Sequence, residues 1–285
     1  MNVLEMALTI NPIAFEIGGL QVRWYGIIIA FGIYLATTLA DREATRKGYR
    51  KDFIIDLVFW AVPLGFVGAR FYYILFEWQY YLANPAEIIQ IWHGCIAIYG
   101  GVIAGAATVY WFTKKEKVSF ALLLDILAPV VLLAQSIGRW GNFTNQEAHG
   151  EVTTRAFLEG LHLPNFIIEQ MHINGAYYQP TFLYESLWSF VGVLILFYLR
   201  RRKGVKVGEI AAGYLIWYSF GRFFIEGMRT DSLWMFNVIR ISQLVSIVLF
   251  LLGIGLIIVR RRRVPAVPDY VSIDNPQSPI LFGKV

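Results

Sequence analysis

The chain has 285 residues, of which 57% are hydrophobic and 16% charged, and its formal net charge is +5. This composition is more apolar than that of soluble domains and indicates a membrane protein. The single cysteine, Cys95, excludes an intramolecular disulfide framework and a thiolate metal cluster.

Seven apolar segments of membrane-spanning length follow one another along the chain. The sequence therefore predicts an all-α polytopic membrane protein with about seven transmembrane helices in a single domain, residues 1–263. Residues 264–285 contain four prolines and little hydrophobic periodicity, so we expect a flexible tail. The predicted segments are residues 20–40, 53–76, 92–113, 119–138, 182–199, 209–227 and 240–259.

Positive charge is distributed unevenly between the two ends of these segments. Most of the 25 Lys and Arg residues follow the first, third, fifth and seventh segments. Because cytoplasmic loops carry such an excess, the pattern predicts an outer N-terminus and a cytoplasmic C-terminus. We interpret the basic clusters as anchors beside anionic lipid of the bilayer, so no nucleic-acid partner is predicted.

The basic residues outside those clusters are all arginines. Guanidinium groups bind phosphate through paired hydrogen bonds and stay charged when partly buried, so an outer cavity that they line is expected to bind phosphate. Snorkelling or pairing with a glutamate accounts equally well for Arg23, Arg155 and Arg240 taken singly. The full set is Arg23, Arg70, Arg139, Arg155, Arg222, Arg229 and Arg240.

A polar stretch, residues 138–150, follows the fourth apolar segment. An arginine, two asparagines and a glutamate among glycines are costly at the end of a membrane span, which indicates a site rather than scaffold. The glycines allow a ligand to approach the backbone closely, and the asparagines offer hydrogen-bond donors to a lipid head group. The candidate residues are Arg139, Asn142, Asn145, Glu147 and Gly150.

The sixth segment carries a polar stripe formed by Tyr218, Arg222, Glu226 and Arg229. On a helix these positions lie within roughly 80° of one another. Because each charge would cost on the order of 3 kcal/mol against lipid, the stripe is expected to face the interior of the bundle. A buried ion pair that only fixes helix packing is the alternative interpretation.

In the third segment, Tyr99 precedes two glycines, and the Gly101-x-x-x-Gly105 spacing predicts tight packing of a neighbouring helix. Tyr99 is either a packed aromatic residue or a hydroxyl group of the site. The four histidines lack the spacing of metal ligands, so we predict no metal and no other cofactor.

Several of these motifs together resemble those of the prolipoprotein diacylglyceryl transferase family. The resemblance rests on residues 138–150 and includes residues 23–26, 98–101, 179–185 and 218–229. It implies an enzyme of the bacterial cell membrane. That enzyme would transfer the diacylglyceryl group of phosphatidylglycerol to the lipobox cysteine of a preprolipoprotein and release glycerol phosphate.

The resemblance also implies roles for individual residues. Arg139 and Arg222 match arginines held to be essential, and Glu226 matches the partner of Arg222. Tyr99 stands where many members have a histidine discussed as the base. Since a neutral tyrosine is a poor base near pH 7, we expect the arginines to lower the thiol pKa while Tyr99 or Tyr25 orients a substrate. The expected substrate contacts are Tyr25, Asn142, Asn145, Glu147, Gly150, Glu185, Tyr218 and Arg229.

The connection at residues 140–181 is too long for a simple link, so we expect a small extracytoplasmic head that receives the lipobox peptide. Two alternatives remain open. An arginine-lined anion transporter would continue its polar residues toward the cytoplasmic side. A non-catalytic lipid-binding membrane protein would share the same composition.

Overall fold

A computed structural model describes residues 9–88, 97–230, 234–235, 239–263 and 266–282 of the chain. The described chain is predominantly helical. Its helices are α1 (Trp24–Arg46), α2 (Phe53–Phe76), α3 (Trp78–Ala83), α4 (Ile98–Glu116), α5 (Phe120–Asn145), α6 (Arg155–Gly160), α7 (Asn165–Gln170), α8 (Thr181–Leu199), α9 (Glu209–Met228) and α10 (Ile241–Arg262). Its strands are β1 (Ile13–Ile17), β2 (Leu20–Arg23), β3 (Val152–Thr153), β4 (His172–Ile173), β5 (Ala176–Tyr178), β6 (Trp234–Met235) and β7 (Ile239–Arg240).

The long helices follow from long apolar runs, because a helix satisfies its own backbone hydrogen bonds where no water is present. Within the described residues, α1, α2, α5, α8 and α10 are long and apolar enough to cross a membrane. The predicted helical, polytopic membrane protein is thereby confirmed. That α4 and α9 also cross stays a prediction, and residues 92–96 of the predicted third segment, with Cys95, lie outside the described residues.

The chain divides into two compact units. The first comprises residues 1–39 and 124–272, and the second comprises residues 40–123 and 273–285. The first unit holds the hairpin β1–β2, the helices α8 to α10 and nearly all of α5. Asp125, which is fully buried, accepts hydrogen bonds from the backbone N–H groups of Gly208 and Ala211 and so caps the start of α9.

In the second unit, α2 and α4 pack through small residues. A Cβ atom at Gly100 would collide with the carbonyl oxygen of Gly68, so the two backbones approach closely there. Gly101 also lies at this contact, whereas a Cβ atom at Gly105 would meet nothing within 4 Å. The prediction of close packing is correct for Gly101 and wrong for Gly105, because Ala104 rather than Gly105 faces Gly68 of α2.

Arg70 of α2 is not available to bind phosphate. Its Nη2 donates to the carbonyl oxygen of Glu87 at 2.6 Å and its Nε to that of Ile88 at 3.3 Å. Its side chain is buried and lies over the ring of Tyr81. The guanidinium group therefore satisfies the backbone carbonyls of a turn, and its inclusion among the phosphate-binding candidates was wrong.

Residues 146–180, which we call the insert, form a small structure of their own between α5 and α8. They contain α6, α7 and a three-stranded antiparallel sheet in the order β3-β5-β4. Thr154 caps α6 by accepting a hydrogen bond from the Phe157 N–H. The location of the insert outside the membrane stays a prediction. The buried apolar core that the insert shares with the ends of α5 and α8 is Phe143, Leu158, Ile167, Ile168, Met171 and Phe182.

Gln170 joins the insert to the end of α5. Its side chain is fully buried, and its Nε2 donates to the carbonyl oxygen of Phe143 at 3.2 Å and to that of Thr144 at 3.5 Å. Its Oε1 accepts from the N–H of Ile10 at 2.8 Å. Because the last carbonyls of a helix lack intrahelical partners, this amide supplies what the end of α5 needs.

Part of the predicted tail belongs to the first unit and packs within it. Tyr270 is fully buried, and the Asp269 carboxylate accepts from Lys206 Nζ at 2.7 Å and from the Gly204 N–H at 2.8 Å. These two bonds, the one from Lys206 above all, hold the pKa of Asp269 below its ordinary range. Flexibility of the whole segment 264–285 stays a prediction, whereas these contacts anchor residues 267–272.

We expect Asp269→Asn to loosen residues 267–272 at pH 7. The bonds to Asp269 stabilise the fold above the pKa of the unfolded carboxyl group, about 3.9, and this stabilisation is lost as pH falls through the lower folded pKa. Hydrogen exchange of Tyr270 should therefore be faster in the variant at pH 7 and approach the wild-type rate near pH 2. Asp274→Asn, which removes no described ion pair, should leave this exchange unchanged. Equal rates for wild type and Asp269→Asn at pH 7 would contradict the assignment.

Candidate active site

One carboxylate holds the centre of the site. Glu185 of α8 places its Oε2 at 2.6 Å from Nε of Arg139 on α5 and its Oε1 at 2.8 Å from Nη1 of Arg222 on α9. The Nη1 atom of Arg229 lies 3.8 Å from the same Oε1. A single acidic side chain thus pairs with one arginine of α5 and with two at the C-terminal end of α9.

Glu226 is the second acidic residue of the site. Its Oε2 lies 2.6 Å from Nη2 of Arg222, one turn away on α9, so the pair predicted from the i,i+4 spacing is present. Helix α9 ends at Met228, and the extended backbone of Arg229 then turns this third arginine toward Glu185. We call Arg139, Glu185, Arg222, Glu226 and Arg229 the arginine cluster.

The arginine cluster has more positive than negative charge. Three guanidinium groups face two carboxylates, which leaves one positive charge in excess. The carboxylates are the more deeply buried groups, since 7% of the Glu185 side chain is exposed, against 22% for Arg139 and 17% for Arg222. Within the described residues, Arg139 uses only its Nε, so its two Nη atoms have no polar partner. An approaching anion therefore meets guanidinium groups before it meets carboxylates.

The stretch after Arg139 is held by its own contacts. Asn142 Nδ2 donates to Glu147 Oε1 at 3.0 Å. Gly150 forms a bridge with the backbone of Arg229, and a Cβ atom there would lie 2.9 Å from Cβ of Gln179. A side chain at position 150 would therefore crowd Gln179 and Thr181 at the start of α8.

Other predicted residues lie around the same helix ends. The ring of Tyr25 packs against Gly141, and its hydroxyl is within electrostatic range of Glu147 and Arg139. Asn145 keeps a buried Oδ1 that has no hydrogen-bond partner among the residues the structure describes. Tyr218, one turn before Arg222, stacks on Tyr214 at 5.8 Å between ring centroids.

Tyr99 is the second residue of α4 and belongs to the second unit. The residue is 41% exposed. Its participation in the site stays a prediction. The sequence analysis missed the role of Glu185. We expected this residue only as a substrate contact, whereas it is the common counterion of the arginines. No local pattern marks it, because its partners lie on other helices.

The comparison with known proteins decides the family. The family model for prolipoprotein diacylglyceryl transferase matches residues 12–259. The chain belongs to this family. The resemblance stated from the motifs is thereby confirmed, and the matched range contains every member of the arginine cluster.

Curated relatives are similar to this chain over nearly its whole length. A phosphatidylglycerol–prolipoprotein diacylglyceryl transferase from Listeria monocytogenes serotype 4a is 54% identical over 276 residues, which cover 97% of this chain and 96% of the relative. One from Bacillus velezensis is 56% identical over 270 residues, covering 95% and 99%. One from Lactobacillus acidophilus is 56% identical over 256 residues, covering 90% and 91%.

Glu185→Gln should lower the thermal stability of this transferase family member in detergent. The change leaves two partly buried arginines without their shared counterion. The loss should be smaller than the about 3–5 kcal/mol typical of a fully buried pair, because both arginines are partly exposed. Glu159→Gln breaks an exposed i,i+4 pair with Arg155 and should change the melting temperature little. Equal effects of the two substitutions would contradict the central role of Glu185.

Proposed function

We propose that this chain transfers the diacylglyceryl group of phosphatidylglycerol to the lipobox cysteine of a preprolipoprotein in the bacterial cell membrane. The observation that carries this proposal is the arginine cluster, in which three partly exposed arginine side chains accompany two buried carboxylates. Such a site suits a phosphate group in the substrate and in the product. Membership of the family, whose curated relatives carry these two substrates in their names, supports the same assignment.

The reaction exchanges one bond at a glycerol carbon. The cysteine sulfur attacks the carbon that carries the phosphate ester, a C–S bond forms, and the C–O bond to the phosphate breaks with its electron pair on oxygen. Glycerol phosphate leaves, and the negative charge on the phosphate increases because a phosphodiester becomes a phosphate monoester. Arg139 and Arg222 stabilise this developing charge.

The thiol must lose its proton to react. A free thiol has a pKa near 8.5, and a positive field favours its thiolate form. We assign that field to the arginine cluster, with Glu226 holding Arg222 in place and Tyr99 or Tyr25 orienting a substrate. The remaining proposed substrate contacts are Asn142, Asn145, Glu147, Gly150, Glu185, Tyr218 and Arg229.

The proposed arrangement in the membrane follows the charge pattern. Helices α4 and α9 cross the bilayer along with the five apolar helices, the N-terminus is outside and the C-terminus is cytoplasmic. The insert then lies on the outer side as a head that receives the lipobox peptide. This arrangement brings the water-soluble end of the lipid and the exported peptide to the same side.

Arg139→Lys should reduce transfer about 100-fold while the protein stays folded. Lysine keeps the positive charge but lacks the planar fork that binds a phosphate through two hydrogen bonds, and losing one preorganised donor group typically costs 10²–10³ in rate. The measurement is thioether product from labelled phosphatidylglycerol and a lipobox peptide. Arg155→Lys, in the insert and engaged with Glu159 and Glu169, is the matched control and should retain activity.

Wild-type activity in Arg139→Lys would refute the proposed role of the guanidinium group. Absence of thioether product from the wild-type chain would instead favour an anion transporter or a non-catalytic lipid-binding protein.

Tyr99→Phe should reduce transfer by less than about tenfold. A hydroxyl that orients a substrate contributes one hydrogen bond, worth about 0.5–1.5 kcal/mol, whereas a general base contributes far more to the rate. The pH dependence of kcat/KM should keep its shape in this variant. A collapse of activity to the level of Arg139→Ala would show that the hydroxyl takes part in the chemistry and that the electrostatic account of thiol activation is wrong.

A further inference from the structure

Two tryptophans join α8 to α9 in a reciprocal pair. The rings of Trp188 and Trp217 are stacked, with centroids 4.2 Å apart and planes inclined by 11°. Nε1 of Trp188 donates to the carbonyl oxygen of Trp217 at 3.0 Å, and Nε1 of Trp217 donates to the carbonyl oxygen of Trp188 at 2.9 Å. Each indole thus bonds the backbone of the helix opposite.

Each indole also fills a space left by a glycine of the facing helix. A Cβ atom at Gly221 would collide with Nε1 and Cδ1 of Trp188. A Cβ atom at Gly192 would collide with the same two atoms of Trp217. Each glycine stands four residues after the tryptophan of its own helix, so the arrangement is the same in both directions. We call Trp188, Gly192, Trp217 and Gly221 the tryptophan clasp.

The tryptophan clasp allows one axial position of α8 against α9. A slide by one residue, about 1.5 Å along a helix, would break both N–H···O bonds and drive each indole toward a side chain instead of a glycine. Helices in lipid gain little from burying apolar surface against each other. Close packing over small residues and interhelical hydrogen bonds therefore decide how they fit.

The tryptophan clasp lies next to the central contact of the arginine cluster. Glu185 precedes Trp188 by one turn on α8, and Arg222 directly follows Gly221 on α9. The 2.8 Å contact between Glu185 and Arg222 therefore depends on the same axial position that the indoles fix.

We propose that the tryptophan clasp is a positioning device that sets α8 against α9 and thereby holds Glu185 between Arg139 and Arg222. The proposal rests on the proposed function for its catalytic consequence. Arg222 matters most when charge develops on the leaving phosphate. Loosening the clasp should therefore lower kcat more than it changes KM for phosphatidylglycerol.

Gly221→Ala tests the proposal, with Gly213→Ala on the same helix as its matched control. The new methyl group at 221 displaces Trp188, whereas a Cβ atom at Gly213 would lie 3.3 Å from the flexible end of Leu196. We expect kcat to fall at least tenfold in Gly221→Ala with KM changed less than threefold. Gly213→Ala should stay within twofold of wild type in both.

Rescue separates positioning from general destabilisation. Adding Trp188→Phe to Gly221→Ala removes Nε1, one of the ring atoms that meet the new methyl group, and leaves a smaller ring that can turn away from it, so kcat should recover at least fivefold. If Gly221→Ala fails to fold, Trp217→Phe is the second test, because it keeps an aromatic ring and removes one N–H donor. It too should lower kcat more than it changes KM. Equal kcat in Gly221→Ala and Gly213→Ala would overturn the proposal, as would a loss confined to KM.

Failure of the proposed function gives a different result. A folded wild type that forms no thioether product would refute the proposed function. The clasp would then be judged by melting temperatures, which should be lower in Gly221→Ala than in Gly213→Ala. Equal melting temperatures would overturn it.

Discussion

The shared carboxylate of Glu185 is the interaction on which the site depends. Guanidinium groups from separate helices repel one another at short range and lose hydration when they are partly buried. A fixed carboxylate between Arg139 and Arg222 removes much of that repulsion and determines where both arginines point. The place of Glu185 on α8 therefore determines where the arginine cluster forms.

The carboxylates of the arginine cluster are buried more deeply than its arginines. The two Nη atoms of Arg139 have no acid partner among the described residues, whereas both Nη atoms of Arg222 pair with Glu185 and Glu226. A site fully neutralised by its own acids would bind a phosphate far more weakly.

Much of the fold could be predicted from sequence, because the features involved are local. Apolar runs specify helices, and the Arg222–Glu226 pair follows from helical periodicity. Glu185 could not be assigned its role in this way, because Arg222 is 37 residues away along the chain and the contact depends on how helices pack. Arg70 was misjudged for a related reason. A buried arginine can satisfy backbone carbonyls as well as a ligand, and only the structure shows which it does.

The tryptophan clasp could not be predicted from the sequence either. Tryptophans in apolar segments are typical of residues that anchor a helix at the lipid boundary. Nothing in the spacing of Trp188 or Trp217 shows that each meets a glycine of the other helix. The fit of a tryptophan into the space above a glycine depends on how two helices pack, so the sequence of one helix does not show it.

Gln170 imposes an order on the assembly of the site. The amide that completes the end of α5 comes 27 residues after Phe143 in the chain, beyond most of the insert. During synthesis, the last turn of α5 lacks these partners until the chain has passed residue 170 and α7 has folded. The stretch that carries Asn142 is therefore completed late, and folding of the insert and completion of this helix end become a single event in biogenesis.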